Sequence, residues 1–354
     1  VFLYPVSVVL LAFVTLMGVI TGDRVNGAAR WMSFMGLQFQ PSELAKMAVV
    51  IAVSFILSKR QDDEGANPKA FKYIMIITGL VCLLIAPENL STAMLLFGVV
   101  FLMMFIGRVA ARKLLLLIGS LGLVGIIGVV FLLAIPKDSD IPFLHRFDTW
   151  KSRITNFTEK EEVPAAKFDI DKDAQIAHAR IAIATSNFVG KAPGNSIQRD
   201  FLSQAFSDFI FAIIIEELGL VGGAFVVCLY IWLLVRAGRI AQKCERTFPA
   251  FLVMGIALML VSQAILNMMV AVGLFPVTGQ PLPLISKGGT STLINCAYIG
   301  MILSVSRYTA YLEEQKERDA QLQMQIAAET TEGQIVAEPT AQVLNSDAEF
   351  EKEK

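Results

Sequence analysis

The chain has 354 residues, 55% of them hydrophobic and 17% charged, and 30 basic residues set against 31 acidic ones leave a net charge of −1. Soluble domains run at about 45–50% apolar and about 25% charged, so the pair of soluble domains that the length alone would suggest is excluded. The net charge says nothing about partners, because the charges are segregated by loop; no nucleic-acid partner is expected.

The apolar residues lie in long runs, and a membrane-spanning helix needs about 20 of them to cross roughly 30 Å of hydrocarbon. Residues 1–20 form the first run and hold no charge. They lack a basic leader and a small-residue cleavage site, so they read as a span and not a signal peptide. Because the chain opens at Val1 inside this run, a native N-terminus is expected to precede it. Arg30 and Trp31 follow. They suit an interfacial arginine beside an aromatic belt residue, or a guanidinium that pairs with phosphate oxygens. The run 43–58 is short and carries Glu43 and Lys46. Three residues apart, these share a helix face. They form either a self-neutralising pair facing other helices or an anion site with Lys46 as its cation. Charge at membrane depth is costly and usually functional. The charge-free stretches 73–87, 89–107 and 114–135 come next.

Residues 136–208 make a long polar loop that holds the two histidines, His145 and His178, as isolated surface residues. Ser207 and Asp208 then open the run 209–235, whose only charges are Glu216 and Glu217. Either Ser207 or Asp208 suits a helix N-cap. A carboxylate at the water–lipid boundary also suits a general base, because burial raises its pKa. Along a straight helix Glu216 and Glu217 lie about 12–14 Å deeper, where they must face protein and play supporting roles. Residues 250–276 are again free of charge. Val277–Gly289, preceded by Pro276, contains Pro281 and Pro283 and several glycines, which preclude a continuous helix. Such backbone is tolerated at membrane depth only against protein or a watery cavity, so a re-entrant or cavity-lining element is expected.

The run 289–306 is the eighth candidate span. The tail from Tyr311 is polar; residues 311–328 suit a solvated helix and the remainder is expected to be disordered. This divides the chain into a membrane domain, 1–310, and a polar tail, 311–354. Cys82, Cys228 and Cys296 lie in apolar runs and Cys244 in a basic loop, so no disulfide framework is implied. No phosphate-binding glycine loop and no cluster with metal-ligand spacing is present in the sequence. Short basic loops face the cytoplasm, and they hold Lys59, Arg60, Lys69 and Lys72, then Arg108, Arg112 and Lys113, then Arg236, Arg239, Lys243 and Arg246. Both chain ends are therefore expected to be cytoplasmic and loop 136–208 to lie outside.

The ordered set Gly27–Trp31, Gln40–Lys46, Gly194–Ser196, Ser207–Ala212, Glu216–Gly219 and Gly273–Gly279, running on to Pro281–Pro283 and Ser286–Gly289, resembles the SEDS family (shape, elongation, division and sporulation), its division branch most of all. The resemblance implies an all-α polytopic protein of ten spans, about eight of them in this chain, with a large extracytoplasmic loop. It implies a peptidoglycan glycosyltransferase that polymerises lipid II at the outer face of the bacterial inner (cytoplasmic) membrane, at the division septum, and releases undecaprenyl pyrophosphate. A single-span penicillin-binding transpeptidase and other division proteins are the implied partners, with membrane lipids around them. No cofactor is certain, and a divalent cation such as Mg²⁺ is left open. The family's essential aspartate falls on Asp208, and its basic residues fall on Arg30 and Lys46. Glu43 and Lys287 join these as substrate-binding candidates, with Ser207, Glu216 and Glu217 in support. Some positions depart from the family pattern: Gln204 and Phe206 stand where an acid and a histidine are common, and Lys287 replaces a tyrosine. A lipid II flippase or transporter and a non-catalytic division scaffold are the alternatives.

Overall fold

The computed structural model describes residues 2–21, 32–34, 37–62, 65–134, 173–202 and 205–350. Arg30, Trp31, His145, Gln204 and most of the long outer loop lie outside the described residues. The chain divides into two units, Val1–Ile302 and Leu303–Lys354.

In the first unit, helix α1 covers Leu3–Thr21, α2 Pro41–Lys59, α3 Pro68–Ile85, α4 Leu90–Ile106 and α5 Ala111–Ala134. Within the outer loop 136–208 lies α6, Asp173–Thr185; after the loop come α7, Ile210–Lys243, and α8, Thr247–Ala271. Helix α9, Gly289–Phe350, begins in this unit. Two short antiparallel hairpins, Met32–Phe34 with Leu37–Phe39 and Gln61–Asp62 with Gly65–Ala66, sit beside the ends of α2.

Local chemistry sets the helix starts. Pro41 and Pro68 occupy the first turns of α2 and α3, where a missing N–H costs nothing. The Asn67 side chain accepts from Lys69 N at 3.0 Å and the Asn89 side chain accepts from Thr92 N at 3.2 Å, capping α3 and α4.

Helix α8 is the centre of the bundle and packs against α7, α2 and α4. Gly255 permits that closeness. A Cβ there would meet Met103 Cε at 2.6 Å and Val50 Cγ1 at 2.9 Å. Among the described residues six helices are long and apolar enough to cross a membrane, while Leu3–Leu16 and Leu90–Ile106 are shorter apolar helices. The run with the poorest credentials as a span, 43–58, becomes the most enclosed of them. In α2 61% of the apolar stretch is buried, against 6% in α5. Its two charges face protein, and α5 presents apolar flanks to its surroundings.

Helix α7 is not one continuous rod. The helix is interrupted at Gly219, whose φ of 70° and ψ of −173° lie outside the helical region. Ile210–Leu218 and Leu220–Lys243 are therefore separate helical pieces, with Glu216 and Glu217 on the first of them, ahead of the break.

In the second unit the remainder of α9 continues as helix from Leu303 to Phe350, past the 311–328 extension read from sequence. Its described surface carries an exposed Glu314–Arg318 pair at 3.7 Å, a helical i,i+4 contact of small energetic weight.

A side chain at position 219 would be forced into positive φ, with its Cβ at 2.2 Å from Phe188 O. Gly219→Ala is therefore expected to lower stability by roughly 1–3 kcal/mol. Gly238→Ala, where nothing lies within 4 Å, serves as the control that keeps or raises the Tm. Thermal unfolding in detergent micelles measures both.

Candidate active site at the head of α7

The three residues leading into α7 are held by their main chain. Phe206 O accepts from Lys287 N at 2.8 Å. Ser207 O accepts from the Ser286 hydroxyl at 2.6 Å. Asp208 O accepts from Asn267 Nδ2 at 2.9 Å. Three consecutive carbonyls are thus taken up from two other parts of the chain. The half-buried Asp208 carboxylate also accepts from the Ser207 hydroxyl at 3.0 Å. The N-cap of α7 is Phe209, with no side-chain cap bond. Neither Ser207 nor Asp208 plays the capping role their residue types suggest, so starting a helix does not explain the acid. Phe209 is buried with Phe211, Ala212, Ala264 and Leu282, which fixes the far side of the turn.

Two of the donors, Lys287 N and Ser286 Oγ, come from the irregular segment between α8 and α9, and the third, Asn267, from α8 itself. No helix forms between Val272 and Lys287, as the prolines require. Its backbone is satisfied by buried side chains, the condition for such a segment inside a membrane protein. Gln263 Nε2 donates to Pro281 O at 3.0 Å, Asn267 Nδ2 to Gln280 O at 2.8 Å, and the Tyr230 hydroxyl to Pro283 O. Gln280 Nε2 reaches Thr92 Oγ1 on α4 at 2.7 Å, and Leu282 N donates to Ser286 Oγ at 2.7 Å. Ser286 therefore receives one bond from its own turn and passes one to Ser207.

The pair on α2 joins the same network. Lys46 Nζ lies 2.8 Å from Glu43 Oε1, with side-chain exposures of 0% and 4%. It donates to Gln263 Oε1 at 3.0 Å. Gln263 and Asn267 are four apart on α8 and so share a face. A chain of polar contacts runs from Glu43 through Lys46, Gln263 and the irregular segment to Asn267 and Asp208. The ammonium is enclosed by its two partners; an external anion reaches it only if the pair opens. Lys287, by contrast, is exposed, and its amide sits on Phe206, two residues before Asp208.

Glu216 is buried and pins the outer loop. Its carboxylate accepts from Lys191 Nζ at 2.6 Å, Ser196 Oγ at 2.5 Å, and the amides of Ile197 and Gln198 at 3.3 Å each. Glu217 is half-buried. His178 Nδ1 meets Gln198 Oε1 at 2.6 Å and its ring stacks on Phe201 at 5.3 Å. Among the described residues no group of three His, Cys, Asp or Glu side chains could hold a metal ion. The sequence reading missed Gln263, Asn267, Gln280 and Tyr230, which lay within or beside charge-free stretches. Two amides four apart in an otherwise apolar helix were the available signal for the first two.

Long apolar helices, charges enclosed between them and an acid fixed at one end define an integral membrane protein with a polar site at the bundle end. The chain belongs to the FtsW/RodA/SpoVE family of cell cycle proteins, whose family model matches residues 1–311. A probable peptidoglycan glycosyltransferase FtsW of Trichlorobacter lovleyi is 33% identical over 303 residues, covering 85% of this chain and 74% of the relative. The protein of the same name from Methylococcus capsulatus is 31% identical, covering 86% of this chain and 72% of its own. A solved structure described as the structural coordination of polymerization and crosslinking by a peptidoglycan synthase complex matches with a TM-score of 0.67 and 28% identity. That match covers 87% of this chain and 80% of the other. The Thermus thermophilus rod shape determining protein RodA matches with a TM-score of 0.57 and 26% identity over 86% of this chain and 76% of its own.

Removing Lys46 would leave Glu43 a buried carboxylate without its counter-charge. Lys46→Met is expected to cost about 3 kcal/mol of stability. The double variant Glu43→Gln with Lys46→Met is expected to recover most of it, because no lone charge remains. Chemical unfolding of the detergent-solubilised protein distinguishes the two.

Proposed function

We propose that this chain is a peptidoglycan glycosyltransferase that polymerises lipid II at the outer face of the inner membrane during cell division, with Asp208 as its general base. The observation that carries the reading is the half-buried Asp208 carboxylate on a main chain held at three successive carbonyls. A base is useful only where its position is set before substrate arrives. The names of the relatives support the reaction class.

In the reaction, the hydroxyl of one lipid-linked disaccharide attacks C1 of the sugar on the other. Asp208 takes the proton of that hydroxyl as the new C1–O bond forms. The bond from C1 to the pyrophosphate oxygen breaks, and its electron pair leaves with undecaprenyl pyrophosphate. An α-linked pyrophosphate that gives a β-linked glycan is displaced with inversion, so a single base suffices and no glycosyl-enzyme is needed. The departing pyrophosphate needs cations. Arg30 and Lys287 are assigned to it, Lys287 because its exposed side chain stands beside the turn that carries Asp208. Lys46, enclosed by Glu43 and Gln263, is assigned to the site from beneath. Together with Glu43 it holds the face of α8 from which Asn267 reaches Asp208. Glu216 and Glu217 support the outer loop, and Ser207 orients the Asp208 carboxylate. A single-span transpeptidase is the assigned partner, since a matching solved structure is that of a complex that polymerises and crosslinks.

Asp208→Asn is expected to lower lipid II polymerisation by at least about 10²-fold, the usual weight of a general base, with the Tm unchanged. Near-normal polymer from the folded variant, assayed in detergent with the partner synthase, would refute the assignment. Arg30→Gln and Lys287→Gln are expected to raise the KM for lipid II. If neither changes it, the pyrophosphate roles are wrong.

A further inference from the structure

We propose that the outer loop is anchored in the outer leaflet of the bilayer by Phe188 and Val189, which dock beside the break in α7. The break frees main-chain groups that a continuous helix would pair. The loop takes them up: Lys191 N donates to Glu216 O at 3.0 Å, and Val221 N donates to Phe188 O at 3.4 Å. The approach is too close for any side chain. A Cβ on Gly190 would meet Glu217 O at 2.4 Å, and one on Gly219 would meet Phe188 O at 2.2 Å. Glu216 then clamps the returning chain through Lys191, Ser196, Ile197 and Gln198. Segment 188–198 is a strap laid along α7, not a free loop.

The tip of that strap is apolar and bare. Phe188 is 74% exposed and Val189 80% exposed. Two adjoining exposed hydrophobic residues at the end of a firmly held turn mark a contact surface. They are continuous with the exposed Leu218, Leu220 and Val221 on α7 itself, so the same medium covers both. The level of the tip identifies that medium. From Leu220 to Val235 α7 carries no charge, and Arg236 follows. At 1.5 Å per residue those positions cover about 24 Å, most of the roughly 30 Å hydrocarbon thickness. With Arg236 at the inner boundary, Gly219 and the tip beside it fall at the outer edge of the hydrocarbon. The occupant is therefore lipid, with the aromatic ring at the interface where such rings are favoured. The polar groups of Lys191 and Ser196, tied to Glu216, remain on the protein side.

The test uses the full chain in lipid vesicles, with the four native cysteines replaced and an environment-sensitive fluorophore attached at Val189→Cys or Phe188→Cys. The control is Asp200→Cys on the same loop, a side chain 74% exposed. At 188 or 189 the expected result is blue-shifted emission, strong quenching by lipids with a nitroxide near the head of the acyl chain, and little quenching by aqueous iodide. Position 200 is expected to show the reverse. Iodide quenching at 188 and 189 equal to that at 200 would overturn the proposal. So would a blue shift without lipid quenching, which would assign a protein neighbour instead. Labelled protein that fails to enter the folded monomer peak is replaced by the second position, since the two side chains share the tip.

Discussion

A single side-chain amide, that of Asn267, ties together the two stretches of chain on which the site depends. One of its hydrogens goes to Asp208 O and the other to Gln280 O. The first places the acid; the second holds an irregular, proline-broken segment against the central helix. Inside a membrane protein neither stretch can turn to bulk water for its hydrogen bonds. Gln263, one turn away, does the same for Pro281 O. The site is thus built where two non-helical backbones are jointly satisfied by one face of α8.

The buried Glu43–Lys46 pair belongs to this support. Bringing two charges out of water is expensive, and an apolar pair of the same volume often packs as well or better. What an apolar pair could not do is donate to Gln263 Oε1 and so orient that amide toward Pro281. The pair contributes position to α8 more than it contributes net stability.

Much of this was legible from residue order alone. The apolar runs give the long helices, the cluster of prolines gives the irregular segment, and the spacing of Glu43 and Lys46 gives their shared face. The break at Gly219 was hidden. A glycine in the run Leu218–Gly223 is also what a tightly packed membrane helix uses, and nothing in the periodicity separates the two cases. The partners of Glu216 were hidden for another reason: Lys191 and Ser196 lie 25 and 20 residues away, and only the fold of the loop brings them back. Asp208 stands out in residue order as an acid at the head of an apolar run, yet the contacts that hold its stretch of chain are made by main-chain carbonyls, to which a sequence pattern is blind.

Segment 206–208 is open to change in side-chain identity over time. Hydrogen bonds to carbonyls do not read side-chain identity. Phe206 contributes its C=O to Lys287 N while its ring points outward, 51% exposed. Residues of quite different character can occupy this position without displacing the aspartate two places on. The bond from Lys287 N needs only the carbonyl of residue 206, whichever side chain stands there. The segment has latitude to drift in sequence, and with it to adjust what lies over the acid, while the acid itself stays where the chemistry needs it.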